Sequence, residues 1–166
     1  MLVLRCTRKL LDRLDTAPAG TLPSSTTWLG DWYPNTVAVG RARLILCVSE
    51  KTLLPSVIPA RDLKTLGARL TAAAGEVLRG IGVSDALVHA EKQRMAEVVF
   101  APTKSRVVLG SLNEFAWLLE GNVDHGQPPL EVSLALARTP CSPIDGFPDR
   151  ATLALFRAEA PLTLVR

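Results

Sequence analysis

Lys104 and Arg106 bracket Ser105 within the stretch Val98 to Gly121. Cations beside a helix start, where backbone N–H groups are free, are the components of an anion site. The stretch reads as a hairpin, Glu97–Ala101 and Arg106–Leu109, followed by a helix Leu112–Glu120. Ser111-Leu112-Asn113-Glu114 matches the capping box S-x-x-E, so Glu114 occupies that helix end and leaves less room for a phosphate. A second constellation is Trp28-Leu29-Gly30-Asp31-Trp32-Tyr33, which holds two of the three tryptophans and the sole tyrosine. Exposed, these rings would stack on bases while Arg41 and Arg43 neutralise phosphates. Buried, they would pin a long loop to the core, with Asp31 accepting local N–H bonds. Burial is the commoner fate of such rings and is the favoured expectation. The third constellation is Arg5, Arg8 and Lys9 around a helix start. They oppose the helix dipole there and call for an acidic compensator. Asp12 and Asp31 are the candidates within the chain, and a ligand phosphate is the functional one.

Other chemistries are poorly represented. The two histidines, His89 and His125, belong to no H-x-H, H-E-x-x-H or Cys/His cluster, so no metal is expected. A triad of Ser111, His125 and Asp124 would need adjacent Asp and His to converge, and no G-x-S-x-G elbow supports it. Gly80-Ile81-Gly82 lacks a third glycine and follows no strand, and no Walker sequence exists; no nucleotide cofactor is expected. Cys6, Cys47 and Cys141 are widely spaced and odd in number, which is no disulfide framework. Cys6 and Cys47 lie in apolar runs and are expected to be buried and inert.

The elements that must carry these residues follow from spacing. Met1–Leu4 is a short strand. Thr7 caps a helix Arg8–Leu14 with Leu10, Leu11 and Leu14 on one face. Ala17–Thr27 is a loop rich in Pro, Gly, Ser and Thr. Thr36–Val39 and Arg43–Val48 form a hairpin about Gly40, and the second strand is apolar on both faces, hence central. Leu53–Ile58 is a strand that Pro55 pushes to an edge or a bulge. Arg61–Arg79 is the longest helix, ended by Gly80 and Gly82. Ser84 starts another, running to about Met95. After a loop from Val123 to Pro129, Leu130–Arg138 is read as helix, with a strand left open, and Pro148 starts a last helix to about Arg157. Blocks of strands and helices predict an α+β fold: one domain, 1–166, with a mostly antiparallel sheet packed against helices.

Four segments in order, Arg5-Cys6-Thr7-Arg8-Lys9-Leu10, Leu29-Gly30-Asp31-Trp32-Tyr33, Glu50-Lys51-Thr52-Leu53-Leu54 and Arg106-Val107-Val108-Leu109-Gly110-Ser111-Leu112-Asn113-Glu114-Phe115, resemble an uncharacterised family of small bacterial proteins, a domain of unknown function. The resemblance covers roughly residues 1–121 and brings no catalytic residues with it. It implies a bacterial, cytoplasmic, single-domain protein.

Composition sets the remaining bounds. The chain has 166 residues, 48% hydrophobic and 21% charged, as in a soluble globular domain. No apolar run is long enough for a membrane helix, and the early Arg5, Arg8 and Lys9 do not suit a secretory leader. Residues 1–83 hold 11 Lys and Arg against 6 Asp and Glu, and residues 84–166 hold 8 against 10. The basic half suits an acidic partner, a nucleic acid or a protein. The expected function is a non-enzymatic interaction module using Arg5, Lys9, Trp28, Asp31, Trp32, Tyr33, Arg41, Arg43, Lys104 and Arg106. The alternative is a small metal-independent ribonuclease of the toxin kind. Arg5, Lys9, Lys104 and Arg106 would stabilise its transition state, and Asp31 or Glu114 would act as base. The sequence permits a homo-oligomer, with a second copy of the chain as the protein partner, but does not indicate one.

Overall fold

Alternation in Leu2-Val3-Leu4-Arg5-Cys6 makes strand β1 (Leu2–Cys6), with Leu2, Leu4 and Cys6 on one buried face and Arg5 on the other. A computed structural model describes residues 1–17, 20, 24–122 and 126–159. Helix α1 (Arg8–Leu14) follows, capped as expected by Thr7, whose side chain accepts the Leu10 N–H at 3.4 Å. Strands β2 (Trp32–Val39) and β3 (Ala42–Ser49) form the hairpin about Gly40, and β4 (Pro55–Pro59) completes an antiparallel trio. A 3-10 turn (Leu63–Thr65) leads into α2 (Leu66–Ile81), then α3 (Asp85–Arg94), β5 (Val98–Pro102), α4 (Arg106–Asn122), α5 (Pro129–Ala137) and α6 (Pro148–Glu159).

The strand order is β4-β3-β2-β1-β5. The antiparallel character expected holds across β2, β3 and β4. β1 runs parallel to both of its neighbours, so the whole sheet is mixed and the class is α+β. Parallel neighbours need a crossover, and the long excursion from β1 to β5 supplies it. Apolar side chains leave both faces of β3: Ile45 and Cys47 meet α1, α2, α3 and α6, while Leu46 and Val48 meet α4 and α5. Helices therefore cover both faces, which explains the unbroken apolar run in β3.

β4 is an edge strand, as Pro55 implied. Its outward N–H at Val57 is taken by the Ser133 hydroxyl of α5 at 2.9 Å, and that hydroxyl donates to Pro129 O at 2.7 Å. The strand edge is thus closed by a helix side chain rather than by another strand. α5 also settles residues 130–137 as helix, with Arg138 as its C-cap.

Besides α2, which starts at Leu66 rather than Arg61, keeps Gly80 within it and is one residue shorter than α4, two expectations are corrected. Arg106–Leu109 is not a strand, so no hairpin forms with β5. It is the first turn of α4, where the Ser105 hydroxyl accepts the Val108 N–H at 3.3 Å. Val108, Leu112, Phe115 and Leu119 recur at helical spacing on one buried stripe, and that burial outweighs the strand preference of Val107-Val108. The capping box falls with it: Ser111 lies buried inside α4. The second correction is that Trp32 and Tyr33 belong to β2, not to a loop. β2 pairs with β1 at Leu4↔Trp32, and the rest of its outer edge has no strand beside it, so Pro34 fits without losing a ladder bond. Residues 124 and 125, and hence the Ser111–His125–Asp124 arrangement, lie outside the described residues, as do 18–19 and 21–23 of the loop before Trp28.

Candidate functional site

Because β2 and β3 run on beyond the end of β1, the far half of their hairpin has α1 beside it instead of a strand. A groove of about 510 Å³ opens there, lined by Thr7, Lys9, Leu10 and Arg13 from α1 and by Asn35, Thr36, Ala38 and Arg43 from the hairpin. Lys9 and Arg13 stand one helical turn apart, and Arg43 faces them across the groove. All three are exposed. None has an ion-pair partner among the described residues, and no acid lines the groove. Like charges lining one groove repel each other, and a bound anion would relieve that repulsion.

A second polar cluster lies on the other face of the sheet, where Arg5 projects from β1. Its Nε donates to Asp31 Oδ2 at 2.7 Å and its Nη1 to Pro102 O at 3.3 Å. Lys104 Nζ sits 3.2 Å from the same Asp31 oxygen and 3.2 Å from Glu50 Oε1. Burial pulls the Lys104 pKa down, but its bonds to Asp31 and Glu50 outweigh this and hold it above its ordinary value. Ser24, Ser25, Thr27, Gly30 and Lys51 complete a cavity of about 300 Å³ around this cluster. The Tyr33 hydroxyl is buried, has no hydrogen-bond partner among the described residues, and is raised in pKa first by burial and then by Glu50.

The candidate residues therefore divide. Lys9 and Arg43 meet in the groove, and Arg41 is exposed at the adjacent hairpin turn. Arg5, Asp31 and Lys104 meet in the ion cluster, so the acidic compensator expected for Arg5 is Asp31. It is Lys104, not Arg106, that reaches the acids; Arg106 is exposed on α4 and lines neither cavity. Trp28, Trp32 and Tyr33 are buried and offer no face for a base. Trp28 packs edge-on against Phe156, centroids 5.3 Å apart, with the Arg94 guanidinium 4.5 Å from its ring centre. Its loop is anchored by Glu91 of α3, which is fully buried and accepts the Trp28 and Leu29 N–H groups at 2.9 and 3.2 Å. Burial raises the Glu91 pKa despite those two bonds.

The sequence reading missed Arg13, Glu50 and Glu91. The i,i+4 spacing of Lys9 and Arg13 was a usable signal for the first. Burial pushes Cys6 up to about 12 and Cys141 up to about 11, and raises Cys47 as well, so none is a ready nucleophile. His89 is exposed on α3. Among the described residues no three His, Cys, Asp or Glu cluster as metal ligands, and no helix is long and apolar enough to cross a membrane.

The described residues form one compact α+β domain with a cationic groove at the free end of a β-hairpin. The chain belongs to the family described as a domain of unknown function, DUF6933, whose model matches residues 3–150. The match continues past residue 121, through α5 and into the start of α6. No curated protein and no solved structure matches the chain.

Proposed function

We propose that this protein is a non-catalytic binding module whose groove between α1 and the β2–β3 hairpin takes the phosphodiester backbone of a nucleic acid. The observation that carries the reading is the convergence of Lys9, Arg13 and Arg43 on one concave surface without an acid among its lining residues. Thr7, Asn35 and Thr36 add hydroxyl and amide groups suited to phosphate oxygens. The aromatic rings are buried, so recognition runs through the backbone and is largely indifferent to sequence. Binding is favoured over cleavage because Asp31, the carboxylate best placed for a base, is held by Arg5 and Lys104 on the opposite face of the sheet. The setting proposed is a bacterial cytoplasm.

The test is fluorescence anisotropy with labelled random-sequence RNA and DNA strands from 20 to 200 mM salt. Dissociation constants of about 10⁻⁴–10⁻⁶ M are expected, with a log–log salt slope near −2 to −3 for about three phosphate contacts. The combined K9E, R13E and R43E variant changes only exposed side chains and should lose binding while keeping its far-UV circular dichroism. Absence of binding at 20 mM salt, or binding that survives the triple reversal, would sink the proposal and turn attention to an acidic protein.

A further inference from the structure

Three of the four segments by which the chain resembles its family meet at a place the groove does not use. Arg5 comes from the first, Gly30 and Asp31 from the second, Glu50 and Lys51 from the third, and all five line the cavity of about 300 Å³ around the ion cluster. Lys104, just ahead of the fourth segment, completes it. Packing alone would fill such a junction with apolar side chains, because burying charge is costly. The cluster is also incomplete within itself. Asp31, whose side chain is 4% exposed, meets both Arg5 Nε and Lys104 Nζ through Oδ2, and its Oδ1 has no partner among the described residues. Arg5 Nη2 has none there either, and Lys51 forms no ion pair among the described residues. The lining thus sets three cations against two carboxylates, with donors and an acceptor both unmet in one hollow.

These unmet groups choose among ligands. A simple anion would answer Arg5 and Lys51 but lie against the buried Asp31 carboxylate. A simple cation would answer Asp31 but meet three positive side chains. A neutral polyol makes weaker bonds to these charged partners than a charged group does. The volume is at the low end for small-molecule pockets, which suits a ligand smaller than a nucleotide. We propose that this cavity binds a small zwitterion of the α-amino-acid class. The ligand carboxylate meets Arg5 Nη2 and the Lys51 ammonium, and the ligand ammonium meets Asp31 Oδ1. Arg5 and Asp31 form the sheltered floor, and the more exposed Lys51 and Lys104 stand at the mouth. The inference does not rest on the nucleic-acid reading, because Arg5 and Asp31 lie on the opposite face of the sheet from the groove.

Scanning calorimetry of the full chain with each standard α-amino acid in turn tests it. A dissociation constant of about 1 mM raises Tm by about 3–6 °C at about 10 mM ligand, and at least one amino acid should do so. Propionate and ethylamine, which each carry one of the two charges of alanine, should give no shift at the same concentration. Lys51 is exposed, so Lys51→Ala should leave the Tm of the free protein unchanged. It should weaken binding at least about tenfold, as expected for the loss of a hydrogen bond between charged groups, and Lys51→Arg should keep it. The K9E, R13E and R43E variant should bind the amino acid as wild type does, since those residues line the groove alone. No shift with any amino acid would overturn the inference. So would a shift that propionate or ethylamine reproduces, or binding indifferent to Lys51→Ala.

Discussion

Replacing Glu91 with Ala orphans two buried donors at once, and this defines the sharpest stability prediction. The carboxylate lies on α3 with no exposed surface and accepts the N–H groups of Trp28 and Leu29. Each buried donor left unpaired costs about 1–3 kcal/mol, which gives about 2–6 kcal/mol for the pair. Removing a desolvated charge returns part of this, because burial already penalises the ionised form. A net loss of about 2–4 kcal/mol is expected, lowering Tm by about 5–15 °C for a chain of this size. Glu91→Gln keeps one acceptor oxygen and should lose about half as much. The pH dependence gives the second handle. The folded pKa of Glu91 is raised above the unfolded value of about 4.3, so the native state holds the proton more tightly than the unfolded chain does. The penalty of the buried charge is full above the folded pKa and fades as pH falls through it. The stability advantage of wild type over Glu91→Gln should therefore widen as pH falls from neutral towards the unfolded value. Urea unfolding followed by tryptophan fluorescence measures both effects. A Glu91→Ala protein within 0.5 kcal/mol of wild type, or a gap to Gln that narrows with acid, would refute the reasoning.

Two further perturbations separate structural charge from free charge. Asp31→Asn strands Arg5, whose side chain is 12% exposed, and loosens Lys104, whose side chain is 49% exposed. It should cost about 2–3 kcal/mol in urea unfolding, less than a fully buried pair because water reaches Lys104, whereas Lys104→Ala should cost under about 1 kcal/mol. All three cysteines are buried with raised pKa values, so a disulfide reagent at pH 8 should modify none of them until the protein is unfolded; modification at the rate of a free thiol would show the burial to be wrong.

The legible parts of the fold were those written in local spacing. Thr7 before a Leu-rich heptad marked α1, Pro148 with Asp149 marked α6, and the unbroken apolar run of β3 declared its central place. α4 was misread at its start because Val107-Val108 favours a strand and Ser111 with Glu114 imitates a cap. What decides is a buried stripe about three turns long, from Val108 to Leu119, which is visible only when the whole window is weighed. Glu50 shows an intermediate case. The hairpin turn at Gly40 sets a register in which Trp32 opposes Ser49, and continuing it by one step brings Asp31 to Glu50. Pro34 broke the strand reading before that step could be taken. Glu91 was out of reach, since its partners stand 62 and 63 residues away and nothing around it announces a buried acid.

β1 owes most of its ladder to β5, with Leu2 paired to Val98 and Cys6 to Pro102, and meets β2 at a single register position. On a ribosome β1 must therefore wait for a strand made almost a hundred residues later. At about 5–20 residues per second that is about 5–20 s, during which Leu2 and Val3 have no ladder partner and Leu4 has only Trp32 of β2. Until β5 emerges, β1 is an apolar strand with most of its ladder unmade.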